Sequence, residues 1–234
     1  MTWRETDISS KIDSKIIFFI YSTNKRLTKK MPNKSAYLEI ILGPMFSGKT
    51  SKLIDIYRKC SFCNIPIAVL NHCADTRYHE TMLSNHDKIM IPCIQTKTLN
   101  EVWNYSDLEA PFEKVAQNHL NLRKADVILI NEAQFFDDLV SCVKDMLKEK
   151  KKVYISGLDG DFQQKKFGTI LELIPLCDKV SKLSSICSLC KNGTDGIFSM
   201  RLTNETEQMV VGSDNYIPVC RDCLEKNNSR LASS

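Results

Sequence analysis

Residues 38–54, LEIILGPMFSGKTSKLI, carry a short apolar run into Gly43-Pro44-Met45-Phe46-Ser47-Gly48-Lys49-Thr50 and then open into a helical pattern. The octet has the P-loop spacing, G-x4-G-K-[ST]. Strand, tight loop and helix N-terminus in that order aim several backbone N–H groups and the positive end of a helix dipole at one point. A polyphosphate belongs at such a point. The glycines let the backbone curl without Cβ clashes, Lys49 can reach β- and γ-phosphates as a point charge, and the Thr50 hydroxyl can ligate Mg²⁺. A chance Gly-rich turn is the competing reading, and it explains neither the strand before the loop nor the helix after it.

With 234 residues, 43% hydrophobic and 26% charged, the chain can bury a sizeable core and keep some length for a small second unit. The early apolar run, Ile16 to Tyr21, falls far short of the roughly 20 residues of a membrane span, and no small-residue cleavage site follows it. We expect no membrane segment and no secretion signal. Residues 1–35 hold eight Lys or Arg against three Asp or Glu, so of the net +4 the remaining chain carries about −1. A near-neutral body argues against a nucleic-acid footprint. Residues 1–35 read as an extension, disordered and dispensable in one reading, a docking or targeting arm in the other.

Ten cysteines in a chain without an export signal point to the reducing cytoplasm, where close thiol pairs bind metal more often than they form disulfides. Cys187-x2-Cys190 and Cys220-x2-Cys223 are of the kind that supply four thiolates to a tetrahedral structural zinc. Residues 191–219 between them are too long and too polar to make a core alone, so zinc would clamp both ends of the loop. The separation exceeds that of an ordinary paired C-x2-C site, which disfavours a nucleic-acid-type ribbon. Cys60-x2-Cys63 lacks a partner pair and reads as structural.

Taken in order, the P-loop helix runs to about Cys60, and residues 67–71 form a second strand. Residues 72–87, HCADTRYHETMLSNHD, read as a charged loop that either hangs over the phosphate site, with Asp75, Arg77 and His86, or lies solvated on the surface. Thr98 to Glu101 has the capping-box pattern of a short helix, and residues 107–123 continue helical with Leu108, Phe112, Val115, Ala116 and Leu120 as the core face. Residues 127–130 are a continuous apolar strand ending in Asn131-Glu132, the outline of a Walker B strand. A helix carries Leu139, Val140, Val143, Met146 and Leu147, and residues 153–156 make a strand that breaks into Gly157-Leu158-Asp159-Gly160-Asp161-Phe162. A short helix at 168–174 and a strand at 179–183 follow. Phe162 and Phe167 suit the core and a ligand platform equally. Strands alternating with helices imply an α/β fold with a parallel sheet and right-handed crossovers.

GPMFSGKT, ADTRY, LINEAQFF, GLDGDFQQKKFG and the CSLC and CRDC pairs, in this order, give a chain that closely resembles the type II thymidine kinases from about Tyr37 to Asn227. The Gly-rich loop discriminates little, whereas the GLDGDF block joined to two cysteine pairs is specific. The resemblance implies a RecA-like P-loop domain over 36–184, a zinc-binding lasso domain over 185–226 and a flexible tail over 227–234. It also implies ATP-dependent phosphorylation of the thymidine 5′-hydroxyl, with Mg²⁺ and structural Zn²⁺, in a cytoplasmic homotetramer without nucleic-acid or membrane partners.

By the same resemblance Glu132 is the catalytic carboxylate. The phosphate side comprises residues 43–50 with Asp75, Thr76, Arg77, Asn131, Glu132, Ala133 and Gln134. Thr50 takes the Mg²⁺. Met45, Leu158, Phe162 and Tyr216 line the nucleoside pocket, Glu207, Gln208, Met209, Val210 and Val211 face the base through their backbone, and Ser199 lies near the thymine methyl. One residue departs from the family pattern: Asn131 stands where an Asp usually supports Mg²⁺ through water. The competing functions are a DNA-stimulated P-loop ATPase and a nucleoside-binding homologue with weakened catalysis.

Overall fold

In a computed structural model of the chain the apolar runs become neighbours in one parallel sheet. The structure describes residues 35–75, 81–105, 113–208, 210 and 212–232. The expected N-terminal extension, the first turns of the helix placed at 107–123, and the site positions Thr76, Arg77, Met209 and Val211 lie outside the described residues.

The elements are β1 (Tyr37–Leu42), α1 (Lys49–Phe62), β2 (Ile67–His72), β3 (Met82–Ser84), β4 (Met90–Pro92), β5 (Ile94–Thr96), α2 (Asn100–Trp103), α3 (Glu113–Lys124), β6 (Val127–Asn131), α4 (Leu139–Lys148), β7 (Lys152–Gly157) and β8 (Lys179–Lys182). The sheet runs β5-β2-β6-β7-β1-β8, and every pair is parallel. This is the expected α/β, RecA-like architecture. Strands covered on both faces need apolar residues at successive positions, and β1 meets that demand. Leu38, Ile40 and Leu42 enter one core with Trp103, Phe136 and Met146, while Ile41 enters the other with Leu53, Ile54 and Leu129. Each such Leu or Ile contributes about 1.5–3 kcal/mol when fully buried.

Among the described residues the buried polar side chains are matched except the Thr169 hydroxyl, which has no hydrogen-bond partner. Glu39 on β1 is buried and pairs with Lys52 and Lys179, at 3.1 and 3.2 Å. Burial opposes its charge, but hydrogen bonds from Lys52, Lys179 and Tyr37 outweigh that and hold the carboxyl below its ordinary range. Lys151 closes the end of α3, donating to the carbonyls of Arg123 and Ala125 at 2.6 and 2.7 Å.

Several local expectations are corrected. Residues 72–87 are not wholly loop: Met82–Ser84 form β3, which pairs antiparallel with β4 beyond that stretch, and Leu83, set in a mostly polar stretch, enters the core with Ile91. Thr98 does not cap α2; the Asp138 carboxylate, distant in sequence, accepts from the N–H groups of Leu99 and Asn100 at 3.2 and 2.7 Å. Leu120 is exposed, and Leu122 with Ala125 supplies the α3 core contact instead. The helix expected at 168–174 is a 3₁₀ segment, Ile170–Leu176, with Pro175 inside it. Residues 221–232 form one helix, α5 (Arg221–Ala232), so the region read as a tail from 227 continues a helix.

Candidate active site

At the carboxyl ends of β1, β6 and β7 the chain leaves the sheet into a cleft with about 1030 Å³ of empty volume, mouth included. Its floor is the loop before α1. Phe46 and Gly48 both adopt left-handed backbone, φ +62° and +81°, which curls the segment between them. Helix α1 has no side-chain cap and no acidic residue in its first turn. The orphan N–H groups and dipole of a 14-residue helix are therefore left for an anion to satisfy. Lys49 Nζ donates to the Pro44 carbonyl at 2.7 Å, and Met45, Phe46, Ser47, Gly48, Lys49 and Thr50 all line the cleft.

Glu132 follows β6 directly. Its backbone is left-handed at φ +51°, an uncommon state for a residue with a side chain, and the carboxylate lines the cleft. Gln134 steadies it, donating Nε2 to Glu132 Oε2 at 2.7 Å while its own Oε1 accepts from Leu158 N at 3.0 Å. The backbone of Gln134 is approached closely by Gly168, φ +61°, where an added Cβ would lie 2.1 Å from the Gln134 carbonyl oxygen. Gly168→Ala is therefore expected to cost roughly 2–4 kcal/mol through left-handed strain plus overpacking, read as a lowered midpoint in denaturant unfolding. An unfolding midpoint equal to wild type would show that this approach is not required.

Asn131 is buried behind the floor. Its Oδ1 accepts from Ser156 Oγ at 2.8 Å and from Thr50 Oγ1 at a long 3.5 Å, and its Nδ2 donates to Asn71 Oδ1 at 2.9 Å. Asn71 in turn donates to Asp75, which lines the cleft. Ala133, expected beside the phosphates, is fully buried in the main core, and Gly43 and Pro44, which open the loop, are buried and do not line the cleft.

The opposite wall comes from the segment after β7 and from the C-terminal unit. Leu158, Phe162, Ser199, Gln208, Val210 and Tyr216 line the cleft as a group. Glu207 is exposed, and its carbonyl is held from behind by Arg201 at 2.6 Å. Ser199 accepts a hydrogen bond from Met45 N at 3.0 Å and so ties this wall to the floor. Asn85, Phe135 and Gly212 also reach the cleft and carry no sequence signal of it, while Phe167, which suits core and platform equally on spacing, lines the cleft with Gly160 and Asp161. Of the residues expected on a loop over the phosphate site, Asp75 and His86 line the cleft, with His86 stacked on Phe46 at 4.8 Å between ring centroids, and Arg77 lies outside the described residues.

The C-terminal unit is built on two small antiparallel pairs, β9 (Ser185–Ile186) with β10 (Asp195–Gly196) and β11 (Phe198–Arg201) with β12 (Tyr216–Val219). They bring the sulfurs of Cys187, Cys190, Cys220 and Cys223 within 4.8 Å of one another. Four thiols at that spacing fit a tetrahedral zinc. Burial raises the Cys187 thiol, but donors from the Cys190, Cys220 and Leu189 backbone outweigh it and bring it down to about 6. Cys60, buried at the end of α1, and the exposed Cys63 are not part of this cluster.

A family model described as thymidine kinase matches residues 36–224. The chain is 36% identical to a rice (Oryza sativa subsp. japonica) protein named thymidine kinase, over 81% of this chain and 66% of the rice protein. It is 35% identical to the thymidine kinase of Yaba monkey tumor virus, over 85% of this chain and the whole viral protein. It is 37% identical to thymidine kinase a of Arabidopsis thaliana, over 86% of this chain and 79% of that protein.

Proposed function

The chain belongs to the thymidine kinase family, and from that premise we propose that it transfers the γ-phosphate of ATP to the 5′-hydroxyl of thymidine. The observation that carries this reading is one cleft that joins an uncapped helix N-terminus to a carboxylate and to an aromatic-walled pocket. The triphosphate sits against the N–H groups of residues 46–50, with Lys49 leaving its Pro44 contact for a phosphate oxygen. Glu132 accepts the 5′-hydroxyl proton as the oxygen attacks phosphorus. Met45, Leu158, Phe162 and Tyr216 enclose the nucleoside, and the backbone of residues 207–211 faces the base. Thr76 and Arg77 complete the phosphate side.

Thr50 Oγ1, with the Asn131 amide behind it, offers the oxygen-only donors that suit Mg²⁺, and Asp75 adds a carboxylate nearby. When bound with ATP, Mg²⁺ neutralises charge on the β- and γ-phosphate oxygens. Zinc on the four cysteines is structural. No helix among the described residues is long and apolar enough to cross a membrane. A homotetramer working in the cytoplasm is the assembly and location that fit this reading. A coupled assay with purified protein, Mg-ATP and a panel of nucleosides tests the function. Thymidine-dependent ADP release is the expected result, and ATP hydrolysis stimulated by DNA without nucleoside would overturn it.

The neutral residue at 131 gives this site a weaker hold on Mg²⁺ than an aspartate would. Outer-shell metal partners typically contribute 10–100-fold in affinity or activity. Asn131→Asp is therefore expected to lower the Mg²⁺ concentration for half-maximal turnover, with the thymidine KM little altered. The structure adds a cost: an Asp there sets an acceptor against Asn71 Oδ1, so the Asn71 amide must turn and give up its bond to Asp75. That cost is about 1–3 kcal/mol of stability. A Mg²⁺ titration identical to wild type would refute the role given to residue 131.

A further inference from the structure

We propose that Arg201 is a positioning residue that holds the described residues of the substrate-facing loop, 202–208, 210 and 212, in the shape seen here; the kinetic part of this inference rests on the thymidine kinase reading. Arg201 lies on β11, is 8% exposed and stands behind the cleft wall, not in it. All five of its N–H donors are engaged. Nη1 donates to the carbonyls of Glu205 and Glu207 at 2.8 and 2.6 Å, and Nη2 donates to the Gln208 carbonyl at 3.1 Å. Nε and Nη2 also fork onto Tyr216 Oη at 3.2 and 2.6 Å, and that hydroxyl donates onward to the Val210 carbonyl at 3.3 Å. The guanidinium lies over the Phe162 ring, 3.7 Å from its centroid.

One side chain thus meets four residues that line the cleft, namely Phe162, Gln208, Val210 through Tyr216, and Tyr216 itself. They come from segments more than 40 positions apart in the chain. Among the described residues Arg201 has no ion-pair partner. Its buried charge is stabilised by loop carbonyls and two aromatic faces, so opening the loop would strip a cation of its partners. The loop and the charge stabilise each other. A second link, Gln208 Nε2 to Asp161 Oδ2 at 2.7 Å, joins the same loop to the segment after β7.

A lysine cannot reproduce the hold, because its point charge has three donors and no planar fork to stack and bridge at once. Arg201→Ala and Arg201→Lys are compared with wild type for zinc content, melting, kinetics and amide exchange without substrate. Both variants should keep one zinc per chain. The thymidine KM should rise by about 10–100-fold, since a loop ordered in advance must now be ordered on binding. The turnover number and the ATP KM should stay within about threefold, and amide exchange in 202–212 should accelerate at least about tenfold. An unchanged thymidine KM, or exchange equal to wild type, overturns the proposal, as does full rescue by Lys. Should Arg201→Ala fail to fold, Arg201→Lys carries the same test. A wild type that does not phosphorylate thymidine removes the parent reading alone, and exchange in 202–212 still decides whether Arg201 holds the loop.

Discussion

Replacing Glu132 with Gln lowers thymidine turnover by about 10²–10⁴, the share that general-base catalysis usually supplies. The substitution isolates chemistry from shape. Gln has the volume of Glu and retains a carbonyl oxygen to accept from Gln134 Nε2, the contact now made at 2.7 Å. The Gln134 bond to Leu158 N, which sets the start of the nucleoside wall, is untouched. What is lost is the carboxylate proposed to take the 5′-hydroxyl proton. Binding of ATP and of thymidine, measured by calorimetry, should stay within a few-fold of wild type, because the phosphate donors and the aromatic wall lie on other segments. Near-normal turnover would rule out Glu132 as the base. A matching loss of thymidine binding would show that the carboxylate holds substrate rather than activates it.

Changing Cys190 or Cys223 to Ser releases the zinc and, with it, the nucleoside site. Three thiolates cannot keep a closed tetrahedral structural site. The core beneath the cluster is small, with Met200, Val219 and Leu224 besides the buried Cys187 and Cys220. So few apolar residues cannot order a polar loop, and metal binding there supplies folding free energy of about 10–16 kcal/mol in comparable small units. Zinc content should fall from one per chain to near zero and the thymidine KM should rise by at least about tenfold, following the loss of preorganisation. ATP binding should persist, since the loop of residues 43–50 is carried by β1 and α1 of the main sheet. A variant that has lost zinc yet keeps the wild-type thymidine KM would refute the clamp.

Sequence by itself determined the features whose physics is local or strictly periodic. The P-loop spacing, the apolar runs of β1, β2, β6 and β7, and the paired cysteines each carry their meaning within a few residues, because backbone curl, strand burial and metal ligation demand particular residue types at particular intervals. Only the tertiary structure decided what depends on distant partners. Leu83 is a core residue inside a charged stretch, and burial against another layer leaves no period in so short a strand. Asp138 caps a helix nearly 40 residues upstream, a role no local pattern encodes. Asn131 reads as a missing charge in the sequence, whereas in the fold it is the centre of an amide network joining Thr50, Ser156 and Asn71. Arg201 gave no sequence signal at all, since a single arginine in a polar loop region is ordinarily a solvated one. Its five donors and its place over Phe162 arise only when the segment after β7 and the loop between the cysteine pairs meet across the cleft.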